Sequence, residues 1–157
     1  MTERLNIHTV QSQLLELFIR FSNEVEAAGL EKSLIELVKI RASQLNGCAV
    51  CLYMHTRDAR KLGESEERLY LLNAWRESPL YTPRERAALA WTEALTTLST
   101  SGAPDEIYAQ VKAHFNDQES LALTMLINVI NSWNRLGVGY RRTHPHKVKA
   151  EPVDAPS

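Results

Sequence analysis

Residues 36–55 read Glu36-Leu-Val-Lys-Ile-Arg41-Ala-Ser43-Gln-Leu-Asn46-Gly47-Cys48-Ala-Val50-Cys51-Leu-Tyr-Met-His55. Leu34, Leu37, Val38 and Leu45 recur at helical steps and predict a helix from about Glu31 to Leu45. Asn46-Gly47 then favours a turn, and a new helix is expected from about Cys48 to Leu62, ending at Gly63. On that second helix Cys48 and Cys51 are one i,i+3 step apart, and Cys51 and His55 one i,i+4 step. Two thiols and an imidazole therefore share one face.

Working outward, the same period persists and the chain reads as all-α. Ile7, Val10, Leu14, Leu17, Phe18, Phe21 and Val25 form one apolar series that stops at Gly29. A short helix is expected from Ser65 to about Trp75, followed by a break at Ser78-Pro79. Thr82-Pro83-Arg84-Glu85 is a strong helix start. Thr82 can cap the third amide, Pro83 gives up an N–H that has no partner there, and Glu85 can reach back to the Thr82 amide. That helix carries Ala88, Leu89, Trp91, Leu95 and Leu98 and dissolves in Ser99–Gly102; another runs from Pro104 to Phe115. The last, from about Asp117 past Leu136, is apolar over more than one stripe and should be buried on two sides. No stretch shows the strict alternation of a strand bounded by hairpin turns. The expectation is one helical domain of about seven helices over residues 1–143, with a polar, proline-punctuated tail over 144–157 that should be disordered.

Composition narrows the function. The chain has 157 residues, enough for one core, and its 18 Lys plus Arg are interspersed with 19 Asp plus Glu, which gives nucleic acid no basic stripe to bind. No apolar run approaches a membrane span, and the opening Met1-Thr-Glu-Arg-Leu-Asn lacks a secretory apolar region, so a cytoplasmic protein is expected. In a reducing compartment two cysteines point to catalysis, redox sensing or metal binding rather than a permanent staple. At random, a three-residue step between two cysteines in this length would arise roughly one time in a hundred.

The thiols can form a disulfide with little rearrangement, and His55 can serve as base or hydrogen-bond partner. The helix dipole favours Cys48 as thiolate, whereas the imidazole favours Cys51, and spacing alone leaves open which sulfur attacks first. Two other readings stand beside the redox one: a pair of small core residues, or a zinc site of Cys48, Cys51 and His55 with Glu36 or water as fourth ligand. Glu36 taken alone reads as a solvated charge. Arg41, Ser43 and Asn46 read as structural, Trp75, Trp91 and Trp133 as core or subunit contacts, and His144 and His146 as part of the tail. A βαβ context for a thioredoxin-type C-x-x-C is lacking, since the pattern is helical on both sides.

The stretch resembles the alkylhydroperoxidase D and carboxymuconolactone decarboxylase family, whose redox branch places a Glu on one helix and C-x-x-C-x-x-x-H on the next. The match covers Leu37-Val38, Arg41, Ser43, Asn46, Cys48, Cys51, His55, Ala59 and Gly63, with Glu36 at the family's spacing and weaker support from Tyr81–Trp91. The resemblance implies an all-α fold and assembly into homotrimers or homohexamers. It also implies a peroxidase cycle in which Cys51 is the peroxidatic thiol, Cys48 resolves it, His55 takes the proton and Glu36 holds the imidazole or a relay water. A dithiol of lipoyl or thioredoxin-like type would restore the thiols, with no cofactor and no metal. Val50 departs from the pattern, standing where the best-studied redox members have a second histidine, which bears on peroxidase efficiency and the choice of reductant. A lactone decarboxylase of the same fold and a non-catalytic redox sensor are the alternatives.

Overall fold

The computed structural model describes residues 2–145, and every regular element among them is helical. α1 (Gln13–Glu26), α2 (Lys32–Asn46) and α3 (Ala49–Lys61) lead to α4 (Glu66–Leu71) and a 3-10 turn at Leu72–Ala74. α5 (Pro83–Thr96), α6 (Leu98–Ser101), α7 (Asp105–His114) and α8 (Asp117–Gly139) complete the domain. Among the described residues there are eight α-helices where about seven were expected. The addition is α6, a single turn formed where Ser99–Gly102 read as dissolving; the Ser101 hydroxyl stabilises it by bonding back to the Ala94 and Thr97 carbonyls.

Local chemistry sets the boundaries. The apolar series beginning at Ile7 is helical only from Gln13, because Ser12 caps α1 at Leu15 N–H. Upstream, the Asn6 carbonyl and side chain hold Thr9 and His8 in a turn that buries Ile7. α5 opens on the full capping box of Thr82 and Glu85, with Pro83 at the start; α8 opens on a second box from Asn116 and Glu119. Between α2 and α3, Gly47 is left-handed at φ 64°, a conformation that costs a side-chain-bearing residue about 1 kcal/mol or more. It turns the Cys48 N–H back onto the Ser43 carbonyl at 3.0 Å, so Cys48 becomes the cap of α3 rather than its first helical residue.

α2 is the centre of the molecule. Every residue from Leu34 to Ser43 is buried. Leu34, Ile35 and Val38 pack with α5, α7 and α8 in the larger core, while Leu37 and Ile40 join Leu69, Leu72, Trp75, Tyr81 and Leu89 in a second one. Each fully buried leucine or isoleucine contributes about 1.5–3 kcal/mol. α8 packs against α1, α2, α3, α5 and α7, consistent with its broad apolar surface. Trp75 and Trp91 are core, while Trp133 is partly buried against Phe18. His144, assigned to the tail in the sequence, stacks on Tyr53 with ring centroids 4.7 Å apart, and residues 146–157 lie outside the described residues. No helix among the described residues is long and apolar enough to cross a membrane.

Candidate active site

The encasement of α2 forces its charged residues to find partners, because a buried unpaired charge is far too costly to keep. Arg41 donates from Nε to Glu93 Oε1 at 2.7 Å, and from Nη1 to Gln44 and Asn73. Glu93 also accepts from the Trp75 indole at 2.7 Å and from Arg76. Burial acts to raise Glu93, yet these donors outweigh it and hold its carboxyl below the usual range. Ser43 donates to the Lys39 carbonyl and accepts from Asn134, while Asn46 donates to both Asn131 and Asn134. Arg41, Ser43 and Asn46 are thus framework residues that lock α2 to α5 and α8, the structural part read from the sequence.

The remaining charged pair of α2, Glu36 and Lys39, is joined to α3 through His55. Glu36, only 7% exposed, accepts from Lys39 Nζ at 3.2 Å and binds His55 Nδ1 at 2.9 Å. Lys39 in turn donates to Glu26 of α1 at 2.5 Å. Burial pushes the Glu36 carboxyl up, but the hydrogen bond and charge of His55, with Lys39 behind them, more than offset it, and the group stays ionised below its ordinary value. An ionised Glu36 fixes the proton of a neutral His55 on Nδ1 and leaves Nε2 as an acceptor.

Cys48 and Cys51 are joined in a disulfide, with Cα atoms 5.3 Å apart. The two sulfurs differ in setting. Cys51 lines a cavity of about 410 Å³ together with His55, Lys39, Met54 and Trp133, whereas Cys48 is 1% exposed and lies against α8 at Gly137. An added Cβ at Gly137 would stand 2.7 Å from Cys48 Sγ and 3.4 Å from Cys51 Sγ, so the absence of a side chain there is what admits the disulfide. Val50 lines the cavity, so a hydrocarbon wall occupies the position before Cys51.

All four residues singled out in the sequence therefore converge: Cys48 and Cys51 are bonded, Glu36 and His55 are bonded, and Cys51 and His55 share one cavity. With both sulfurs in the disulfide, neither is a thiolate ligand, so the zinc set of the sequence reading is not assembled here. Glu36, His55 and Asp58 do bring ligand atoms within 4.8 Å of one another, but Lys39 and Lys61 already engage the two carboxylates.

Sequence reasoning missed Lys39, Gly137, Asn134, His8 and Arg142. A signal existed for Lys39, because Glu36, Lys39 and Ser43 recur at three- and four-residue steps along α2. None existed for the others, which reach the site from the two ends of the chain.

An all-α domain with a cysteine pair at a helix start and a Glu–His pair beside it defines a class, and comparison with known proteins places the chain within it. The chain belongs to the carboxymuconolactone decarboxylase family, whose profile matches residues 12–94. It is 38% identical over 138 residues to the uncharacterized protein YdfG of Bacillus subtilis (strain 168), covering 88% of this chain and 94% of that one. A crystal structure of a protein of unknown function from Agrobacterium tumefaciens, proposed to be an antioxidant defence protein of the AhpD kind, superposes with TM-score 0.90 at 41% identity. That match covers 93% of this chain and 100% of that one. The debrominase Bmp8 shares the fold at TM-score 0.75 and 18% identity, over 83% of this chain and 70% of its own.

Proposed function

We propose that the chain is a thiol-dependent peroxidase that reduces hydrogen peroxide or small organic hydroperoxides through a Cys48/Cys51 dithiol–disulfide cycle. The observation that carries this reading is the bonded pair itself, with Cys51 opening on the same cavity as an imidazole whose Nδ1 is held by Glu36. A sensor or a packing pair needs no such base. A lactone decarboxylase needs no thiol pair.

In the reduced enzyme His55 Nε2 takes the Cys51 proton, with Glu36 stabilising the imidazolium. The Cys51 thiolate attacks the distal peroxide oxygen, the O–O bond breaks, and the leaving alkoxide or hydroxide takes a proton from His55. Cys51 is left as a sulfenic acid. Cys48, behind it, attacks that sulfur, water leaves, and the disulfide forms. An external dithiol, of lipoyl or thioredoxin-like type, then returns both sulfurs to thiols. Cavity access favours Cys51 as the attacking sulfur, because Cys48 is shut against α8. The reading extends to a cytoplasmic homotrimer or homohexamer, which the exposed Leu14, Leu17 and Phe21 of α1 support as apolar surface in need of cover.

The test is peroxide consumption by the purified protein with a dithiol reductant, beside Cys48→Ser and Cys51→Ser. Turnover by wild type that both substitutions abolish is expected. Retained turnover in Cys51→Ser overturns the reading.

A further inference from the structure

The cavity that Cys51 lines is far larger than hydrogen peroxide requires. At about 410 Å³ it falls in the range of sites for organic ligands, about 300–1,000 Å³. Ile19, Met54, Val129, Ile130 and Trp133 give it hydrocarbon walls, and the Trp133 indole is pinned by donating to Ser22 Oγ at 3.1 Å. The charge of Lys39 is already shared between Glu26 and Glu36. The other cation of the cavity is different.

Arg142 follows α8, its N–H bonded to the Gly137 carbonyl at 2.9 Å. Its Nη2 lies 2.8 Å from His8 Nε2. A guanidinium can only donate, so His8 Nε2 is the acceptor and carries no proton. His8 comes from the segment before α1, which is tied to the end of α8 by Arg4 N–H on the Tyr140 carbonyl and Arg4 Nη1 on the Gly139 carbonyl. Both residues line the Cys51 cavity. Arg41, Arg60, Arg68, Arg76 and Arg84 each hold a carboxylate. Among the described residues none stands within ion-pair distance of Arg142; Glu3 acts on it only at longer range, and that does not offset the burial of this half-buried group, which lowers its pKa from the ordinary arginine value. A partly dehydrated guanidinium held by a neutral acceptor at an apolar cavity is a receptor for a planar anion, which it can bind with two parallel hydrogen bonds.

We propose that Arg142, braced by His8, is an anion subsite of the Cys51 cavity, and that the preferred substrate is an organic hydroperoxide with an apolar body and a carboxylate. This rests on the peroxidase reading and specifies its substrate class. Atoms balance as in that cycle: the hydroperoxide leaves as the corresponding alcohol, water is released when Cys48 closes the disulfide, and the dithiol reductant supplies both electrons.

The test compares cumene hydroperoxide with its para-carboxylate in the full chain, with a dithiol reductant. The ratio of kcat/KM values, carboxylate over neutral, should be roughly ten- to a hundred-fold in wild type, the worth of a hydrogen-bonded charge. It should collapse toward one in Arg142→Gln and recover in part in Arg142→Lys, with melting curves showing that both fold. Equal use of the two hydroperoxides by wild type, or a preference that survives Arg142→Gln, overturns the proposal. Calorimetric titration with para-isopropylbenzoate, which cannot be reduced, separates the two readings. Binding at least ten-fold weaker in Arg142→Gln, with neither hydroperoxide consumed, supports the anion subsite while the peroxidase reading fails. Consumption of both hydroperoxides at equal efficiency, with no binding of the benzoate, removes the subsite and keeps the peroxidase.

Discussion

Gly137→Ala isolates the contact between α8 and the disulfide. Two effects oppose each other in the oxidised protein. Alanine is the better helix former by about 0.8–1.0 kcal/mol, and Gly137 is helical, near the end of α8. Its Cβ, however, would meet Cys48 Sγ at 2.7 Å, Val50 Cγ1 at 3.3 Å and Cys51 Sγ at 3.4 Å. Overpacking of this kind costs about 1–3 kcal/mol. In the oxidised state the Cys48 sulfur is bonded to Cys51 and cannot turn away; in the reduced state Cys48 is free to change rotamer. The helix gain is common to both states and cancels from their difference, so the clash falls mainly on the disulfide. At about 30 mV per 1.4 kcal/mol for a two-electron couple, the reduction potential should rise by roughly 20–60 mV. The assay is equilibration in graded dithiothreitol buffers, with the thiol fraction read as an alkylation mass shift, beside thermal melts of both forms. A potential within 10 mV of wild type, an arbitrary margin set at about half the smallest expected shift, would refute the reasoning, since α8 would then have yielded without resisting.

Three further outcomes are expected. Asn134→Ala leaves Asn46 and Ser43 each short of a buried partner, and the urea midpoint should fall by the equivalent of about 2–4 kcal/mol at unchanged slope; a loss under about 0.5 kcal/mol would mean the network is redundant. Glu93→Gln breaks the ion pair with Arg41 while keeping its volume, at a cost of about 2–3 kcal/mol, less than for a fully buried pair because the site is partly open. Glu36 and Glu93 both titrate lower in the folded chain than their ordinary 4.5, so the unfolded chain binds their protons first. Their stabilisation is complete above that value and is lost as acid carries the pH down through the folded values; unfolding free energies measured across that window should show a shallower decline in Glu36→Gln, and an unchanged decline would contradict the depressed pKa.

Helix order was legible in the sequence because apolar period, caps and breakers agreed with one another. The Thr82–Glu85 box and the Asn46-Gly47 turn needed no tertiary information. The boundaries that shifted did so where side chains competed with periodicity: Asn6 and Ser12 kept Ile7 and Val10 out of α1, and the hydroxyl of Ser101 added a turn where Ser99–Gly102 read as dissolving the helix. The four site residues were legible because the turn between α2 and α3 and the spacing of the α3 residues bring them together within twenty residues of chain. Glu36 read as an ordinary surface charge on its own, since nothing local shows that α2 is buried on every side. Gly137 and Arg142 were invisible for the same reason: their part in the site depends on α8 crossing it some ninety residues after Cys48.

That α2 has no solvent face from Leu34 to Ser43 bears on how the site can fail. A carboxylate carried on a loop is lost to every local fluctuation of that loop. Glu36 sits on a segment buried along its length, whose amide hydrogens should exchange only when the domain as a whole opens, so the carboxylate that orients His55 stays in place for as long as the core does. Heat or denaturant should therefore take Glu36 and the hydrophobic interior away in one cooperative step, leaving no folded state in which His55 remains beside the sulfurs but the carboxylate that orients it has drifted off.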